Sequence, residues 1–154
     1  MTLGRPPAVN TAVLLREAFR LLNGLVLVRL AERGHGLVRA AHGAVFQYLD
    51  DTGTTVSTLA DRAQMTKQAM AELVHHLERH GYVVRVPDPT DRRAKLVQPT
   101  ARGRDVTAVA QATVPEIEQL ITDALGPERA HALRQDLEAI RVAVAGAADN
   151  QRPR

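Results

Sequence analysis

Apolar residues in the first part of the chain recur with helical spacing and leave little polar surface. We expect a first helix that begins after Asn10 or Thr11, ends near Arg33 and is stopped by Gly34. A surface helix needs only one apolar stripe, whereas these positions cover more than one face. The pattern therefore predicts that this helix packs on its own core on one side and on another subunit on the other. Its apolar positions are Val13, Leu14, Leu15, Ala18, Leu21, Leu22, Leu25, Val26, Val28 and Leu30.

Three further helices and a tight turn are predicted in the middle of the chain. A helix over residues 38–50 is followed by a polar turn and then by a short helix over residues 56–63. Gln64 and Met65 form a turn before Thr66, whose side chain is suited to cap the next helix. That helix has one buried face, and two short helices joined by a tight turn form a helix-turn-helix. The buried face consists of Met70, Leu73, Val74 and Leu77, at positions i, i+3, i+4 and i+7.

A β-hairpin is predicted directly after this helix. Gly81 ends the helix, residues 82–86 have the composition of a strand, and residues 95–98 can pair with them. The connecting loop, residues 87–94, carries two adjacent arginines. This hairpin therefore has the form of a wing beside the helix-turn-helix.

The end of the chain is predicted to be helical. Thr100 caps a long helix that continues to about Leu125 and bends near Pro115, because proline removes a backbone donor. Residues 128–144 form a last amphipathic helix. The fold class is thus mostly α with a small β-hairpin wing, in which a winged helix-turn-helix lobe is carried by a helical body.

Composition and charge limit the function classes. The chain has 154 residues, of which only 3% are aromatic. It has no cysteine, so disulfides, thiolate metal sites and thiol redox sensing are excluded. No histidine spacing indicates zinc, and we expect no metal and no cofactor. Residues 62–104 contain nine Lys or Arg against four Asp or Glu, a net of +5 within a total of +3. This distribution fits either a phosphate-binding module or an ordinary solvated surface.

The start of the helix after Thr66 carries the first candidate DNA contacts. Residues near the N-terminus of a recognition helix lie closest to the base edges in the major groove. Lys67 can donate to guanine or phosphate, Gln68 can bond adenine, and Thr66 can touch a phosphate. Ala71 and Glu72, one turn further on, complete this set. An ordinary polar helix start would have the same residues. The distinction between a DNA-binding helix and a solvated one therefore depends on the wing.

The wing supplies the second set of candidate DNA contacts. Arg92 and Arg93 gain little from folding as exposed side chains, but they fit phosphates or a narrow minor groove. Asp91 can hold the Arg93 guanidinium by a charge-assisted hydrogen bond, with Asp88 as the looser alternative. The competing interpretation is a solvated turn with a surface ion pair.

Four segments of the chain resemble the MarR family of winged helix-turn-helix transcriptional regulators. They are residues 59–60, 73–83, 88–95 and 100–103. The resemblance implies a homodimer that binds a palindromic operator, with Lys67 and Gln68 in the major groove and Arg93, braced by Asp91, in the minor groove. Two positions depart from the family: Gln64 stands where glycine is common, and Glu72 where a basic or small residue is common. Glu72 can accept from cytosine or repel phosphate, so the operator sequence cannot be transferred.

The resemblance also divides the chain and implies a ligand. Residues 1–36 are a leader and dimerisation helix, 37–99 the DNA-binding lobe, 100–148 the C-terminal dimerisation helices, and 149–154 a tail. Many relatives release DNA when a small, often aromatic or anionic, compound binds.

Candidate ligand contacts are few. Arg16, Arg20 and Asn23 share one face of the first helix, and Arg16 can pair with a carboxylate, although these arginines can equally form ion pairs between subunits. His42 lies on the apolar stripe of the second helix, where a hydrogen-bonded core histidine is the more common case.

The resulting hypothesis is a repressor of transcription, released from double-stranded DNA by a small-molecule inducer. An enzyme is not expected, because the chain lacks a Gly-rich phosphate loop, an activated Ser or Cys nucleophile and a paired carboxylate site. No segment has the composition of a signal peptide or a membrane span, and we expect a cytoplasmic protein. The alternative is a winged-helix protein-interaction module without specific DNA binding.

Overall fold

The computed structural model describes residues 10–150, so the predicted leader and residues 151–154 lie outside it. Two compact units divide within a long helix, the first extending to Thr113 and the second beginning at Val114. No helix in the described range is long and apolar enough to cross a membrane. The elements are α1 (Thr11–Glu32), a 3-10 turn (Ala40–His42), α2 (Gly43–Tyr48), α3 (Val56–Arg62), α4 (Lys67–Arg79), β1 (Val83–Pro87), β2 (Lys95–Pro99), α5 (Ala101–Leu125) and α6 (Pro127–Asn150).

The ends of α1 confirm the predicted signals. The Asn10 side chain accepts a hydrogen bond from the Val13 backbone N–H at 3.0 Å, and Gly34 adopts a positive φ of 85° after the last turn. Within α1 only Leu30 is buried. Several large apolar side chains of α1 are exposed, notably Phe19 and Leu21, whereas Val26 and Leu27 pack partly against the core. The first unit therefore covers only a small part of this helix.

The helix predicted over residues 38–50 is wrong in its extent. The structure has a 3-10 turn followed by the six-residue α2, and the backbone is already extended at Leu49. The Thr54 hydroxyl accepts from the Asp50 N–H at 3.0 Å and donates to the Asp50 carboxylate at 3.3 Å. Such local side-chain bonds compete with helical backbone bonds, which explains the early end of the helix.

The core of the first unit lies where α2, α3 and α4 meet the hairpin. β1 and β2 form an antiparallel pair in which Arg85 is opposite Val97, and Thr54 and Val97 exchange backbone hydrogen bonds at 2.9 Å. The hairpin is therefore fastened to the segment before α3 as well as to itself. Side chains with no exposed surface at this centre are Val45, Leu59, Met70, Val74, Leu77, Tyr82 and Val97.

Thr100 stabilises the junction between the hairpin and α5 through two hydrogen bonds. Its hydroxyl accepts from the Gly103 N–H at 3.2 Å, as the predicted cap requires, and donates to the Gly81 carbonyl at 2.6 Å. Gly103 is buried against the carbonyl oxygen of Tyr82, where a β-carbon would not fit. These contacts fix the first turn of α5 beneath the start of β1. Pro115 lies inside α5, and the predicted bend stays a prediction.

The last helix is longer than predicted. It begins at Pro127, after Gly126 with a φ of 81°, and continues to Asn150 rather than ending at Val144. It therefore includes the first two residues of the predicted tail. The alanines that follow Val144 are strong helix formers and carry the helix onward.

Candidate nucleic-acid interface

The turn between α3 and α4 has the geometry of a helix-turn-helix. Gln64 has a φ of 53°, the left-handed conformation that favours glycine. The Met65 N–H donates to the Ala60 carbonyl at 2.9 Å, which closes the turn. Thr66 then caps α4, because its hydroxyl accepts from the Ala69 N–H at 3.1 Å. The predicted cap is confirmed, and the turn needs a glycine-like backbone although a glutamine occupies it.

The face of α4 opposite the core is polar and exposed. Lys67, Gln68 and Glu72 are exposed on it, Thr66 is exposed just before it, and Ala71 is half-buried. Such a stripe can enter the major groove without disturbing the core on the other side of the helix. The structure therefore brings the five predicted α4 contacts together on one side of the lobe.

The exposed stripe of α4 extends beyond the residues selected from the sequence. His75 and Arg79 are exposed and lie one and two turns after Glu72, on the same stripe. The sequence-based selection concentrated on the start of the helix and did not include them. Their signal was the i, i+3, i+7 spacing that continues from Glu72.

The wing loop is ordered by its two aspartates, but not in the way the sequence predicted. The Asp91 carboxylate accepts from the backbone N–H of Arg93 at 2.9 Å, and no ion pair joins it to the Arg93 guanidinium. Asp88 accepts from the N–H and the hydroxyl of Thr90, both at 2.8 Å, and the Thr90 N–H is the main reason that the pKa of Asp88 is lowered. The predicted guanidinium brace is wrong because a carboxylate two residues before Arg93 reaches the nearer backbone donor first.

Both wing arginines are available to a partner. Arg92 and Arg93 are exposed, and neither guanidinium makes a hydrogen bond or an ion pair with any part of the chain between residues 10 and 150. The Asp88 N–H donates to the Ala94 carbonyl at 3.1 Å, which closes the loop beneath them. The hairpin thus presents two unneutralised positive charges on a fixed backbone.

The predicted ligand contacts on α1 share no hydrogen bond with His42 within the described residues, and a ligand site among them stays a prediction. Arg16 and Arg20 both pair with Glu17, at 3.4 and 3.3 Å, and their side chains are about 70% exposed. Asn23 is half-buried on the same helix. His42 is fully buried in the lobe, and no hydrogen bond or ion pair in the described residues joins it to these side chains.

His42 is a core residue with an unusual environment. Its Nδ1 accepts from the Arg39 N–H at 2.9 Å, while its buried Nε2 has no hydrogen-bond partner within the chain. Burial, and then the charges of His76, Arg39 and His80, lower the pKa of His42 to about 4. The ring is therefore neutral at pH 7.

A cleft of about 460 Å³ lies beside α2 and the first half of α5. Phe46 and Leu49 supply apolar surface, and Arg104 supplies a positive charge that pairs with Asp51 at 3.3 Å. Asp50, also in the wall, is paired with Arg62 at 2.9 Å, and the hydrogen bond from Arg62 is the main cause of its lowered pKa. The cleft thus combines apolar surface with an arginine whose charge is paired within the wall. No set of three His, Asp or Glu side chains in residues 10–150 could hold a metal ion.

Comparison with known proteins gives consistent results. The family model described as "MarR family" matches residues 35–94. The transcriptional regulator HosA of Escherichia coli O111:H- is 30% identical over 97 residues, which cover 61% of this chain and 72% of HosA. This chain belongs to the MarR family. MarR proteins are transcription regulators and not enzymes.

Two other similarities bear on this MarR protein. The transcriptional activatory protein BadR of Rhodopseudomonas palustris is 34% identical over 87 residues, 56% of this chain, and the match spans about half of BadR (49%). A crystal structure of the S. aureus MepR–DNA complex superposes with a TM-score of 0.69 at 20% identity, covering 87% of this chain and 98% of MepR. The second likeness confirms the mostly helical winged-helix fold.

Proposed function

We propose that this MarR protein binds double-stranded DNA with α4 in the major groove and the wing in the adjacent minor groove. The observation that carries the proposal is the pair of unneutralised arginines at the hairpin tip, Arg92 and Arg93, in the same unit as the exposed polar stripe of α4. Exposed cations without protein partners stabilise little in the free protein, whereas DNA phosphates and narrow minor grooves attract them. The MepR–DNA complex, which shares the fold, supports DNA as the partner.

The roles of individual residues follow from their positions. Lys67 and Gln68, in the first turn of α4, contact base edges, and Thr66 contacts phosphate while it caps the helix. Glu72 accepts from a cytosine amino group or excludes a phosphate. Asp91 acts through the backbone, because its bond to the Arg93 N–H fixes the loop from which the guanidinium extends.

We propose further that the regulator is a homodimer that recognises a palindromic operator. Large apolar side chains are exposed on α1 and on α6 and are suited to a partner helix. Sedimentation equilibrium tests this directly, and a mass of one chain at micromolar concentration would contradict it. Replacing Ile140 and Val142 with Glu should shift the mass toward the monomer. The exposed residues concerned are Leu14, Phe19, Leu21 and Val28 on α1, and Leu137, Ile140, Val142 and Val144 on α6.

A small aromatic or anionic ligand releases the DNA in this proposal. The cleft beside α2 and α5 supports such binding better than α1 does. Arg104 lies in the wall of a concave site with apolar residues, whereas Arg16 is exposed on the surface of α1. A screen of aromatic carboxylates for loss of DNA binding identifies the ligand class. The Arg104→Ala variant should then lose the response and keep DNA binding. Loss of the response in Arg16→Ala instead would place the ligand at α1.

Repression is the expected outcome of operator binding. A reporter gene behind the operator should be expressed less when the regulator is present. BadR is named as an activatory protein, so increased expression would reverse this part of the proposal.

Sequencing of DNA fragments retained by the purified protein tests the proposed function. A two-fold symmetric sequence should be enriched over the input, since two identical lobes read two half-sites. Retention without enrichment of any sequence would limit the lobe to non-specific binding. No retention would favour the alternative, a winged-helix module that binds another protein.

A further inference from the structure

The recognition helix and the wing are joined by one polar side-chain contact. Arg85 in β1 donates through Nε to the Glu78 carboxylate in the last turn of α4, at 3.2 Å. Their side chains are only 30% and 37% exposed. Within residues 10–150 it is the one side-chain hydrogen bond between α4 and the hairpin strands. It is also outside the set of residues that face the DNA.

The position of Arg85 in the sheet makes this contact informative. Arg85 lies two residues after Val83 and opposite Val97, so the three side chains share one face of the hairpin. Val83 and Val97 are buried on the lobe core. Arg85 therefore occupies an inward-facing position where an apolar residue is the ordinary choice, and Glu78 is the partner that accommodates its charge.

The two strands of the wing are held differently. On the β2 side, Val97 exchanges backbone bonds with Thr54, and the Gln98 side chain donates to the Thr52 carbonyl at 3.0 Å. These contacts fasten the hairpin to the segment before α3. Apolar side chains of α4 and the hairpin also share the core, but the bond between Arg85 and Glu78 is the only side-chain hydrogen bond that joins the two within the described residues.

A rigid link between two DNA-contacting elements raises affinity without touching DNA. When α4 is in the major groove, the wing tip binds at an effective concentration set by how well its position is fixed relative to α4. A hairpin is a weakly stable unit by itself. A brace at the third residue of β1 reduces its motion against α4 and with it the entropy lost when Arg92 and Arg93 engage.

From this geometry we propose that Arg85 and Glu78 are positioning residues that set the wing against the recognition helix, so that both elements bind one operator together. This inference rests on the proposed DNA-binding function. Arg85 contacts α4 and not DNA, so its effect on DNA affinity should be present only when the wing also contacts DNA.

A double-mutant cycle with Arg93→Ala tests the inference by operator affinity. The Arg85→Met variant, which keeps the length of the chain and removes the charge, should weaken binding about five- to tenfold in the wild-type background. In the Arg93→Ala background the same change should have less than about a twofold effect, because the wing contact is already lost. Arg85→Lys should recover most of the affinity, and Arg141→Met, which breaks an Arg–Glu pair on α6, should change neither value.

The outcomes distinguish a failure of the proposed DNA binding from a failure of the brace between Arg85 and Glu78. If the wild-type protein fails to bind DNA, the proposed function and the inference fail together. If it binds and Arg85→Met loses the same factor in both backgrounds, Arg85 acts as a direct contact or by general stability, and the brace is wrong. An unchanged affinity in Arg85→Met also overturns it. Should Arg85→Met fold poorly by circular dichroism, Glu78→Gln provides the same cycle from the other partner.

Discussion

The imidazole ring of His42 stacks on that of His76, with ring centroids 4.5 Å apart and planes 17° apart. His76 in turn lies against His80, at 4.4 Å between centroids. His76 also contacts the segment before the 3-10 turn, through the Leu37 carbonyl at 3.4 Å and Arg39 Nη2 at 3.5 Å. A row of three rings thus joins α4 to the start of the lobe, with a positive guanidinium beside it.

The burial of His42, together with the charges of its neighbours, makes folding stability depend on pH. The pKa of His42 falls from 6.5 to about 4 on folding, so the unfolded chain binds a proton more readily than the folded one between these values. The free energy of unfolding should therefore decrease as the pH falls from 6.5 to about 4, by up to about 3 kcal/mol from this group. Above pH 6.5 the contribution is fully present.

Urea denaturation across this pH range measures the effect. His42→Asn keeps an acceptor for the Arg39 N–H and removes the titrating group, so its stability should fall less steeply toward pH 4 than that of the wild type. The matched control is His75→Asn, because His75 is an exposed histidine on α4 beside His76. This variant should keep the wild-type slope. Equal slopes for wild type and His42→Asn would contradict the assigned environment.

Gly103→Ala should destabilise the first unit. The added methyl group would overlap the Tyr82 carbonyl oxygen, which is backbone and also accepts from the Thr100 N–H at 3.1 Å. We expect a loss of about 2 to 4 kcal/mol in the free energy of unfolding. Gly43→Ala, at an α-helical position with open space around it, is the control and should cause no loss. A Gly103→Ala protein as stable as the wild type would show that α5 does not require this close approach.

Gln64→Gly should stabilise the protein. The left-handed backbone at this position, with a φ of 53°, disfavours residues with a β-carbon and is free of that cost for glycine. The greater freedom of glycine in the unfolded chain offsets part of the gain, which leaves roughly 0.5 to 1 kcal/mol. Thermal unfolding checks the sign. The same change at Gln47, an exposed helical position in α2, should instead destabilise by about 1 kcal/mol.

Gln68→Ala should relax sequence preference more than it lowers non-specific affinity. A side chain that bonds a base edge discriminates between base pairs, whereas one that bonds phosphate adds equally to every sequence. Competition between operator and scrambled duplexes measures the ratio of the two affinities. That ratio should fall by about tenfold for Gln68→Ala and stay constant for Gln47→Ala. An equal loss on both duplexes would assign Gln68 to phosphate.

The sequence predicted the helix-turn-helix and the hairpin because their signals are local. Thr66 and Thr100 are strong caps next to periodic apolar positions, and both cap bonds are present. The left-handed turn at Gln64 was indicated only by the family resemblance, since glutamine has no preference for that conformation. The early end of α2 depends on Thr54 bonding back to Asp50, a competition that apolar spacing does not show.

Side-chain partners were harder to predict than elements. Asp91 and Arg93 are close in sequence, but whether the carboxylate bonds a guanidinium or a backbone N–H depends on the loop conformation. Arg85 and Glu78 meet only because β1 folds back beside α4, and nothing in their spacing indicated it. The sequence indicated that His42 is more commonly a core histidine than a ligand contact. Its stacking on His76 could not be predicted, because it depends on how α4 packs.

The salt dependence of operator binding tests the DNA-binding assignment most directly. For wild-type protein, the logarithm of the association constant should fall linearly and steeply with the logarithm of salt concentration, because bound cations release counterions from DNA. The double variant Arg92→Ala/Arg93→Ala should bind more weakly and with a shallower slope, since two unneutralised guanidinium groups are removed from each wing. A flat response in the wild type, or an unchanged slope in the double variant, would contradict the assignment of this winged lobe to DNA.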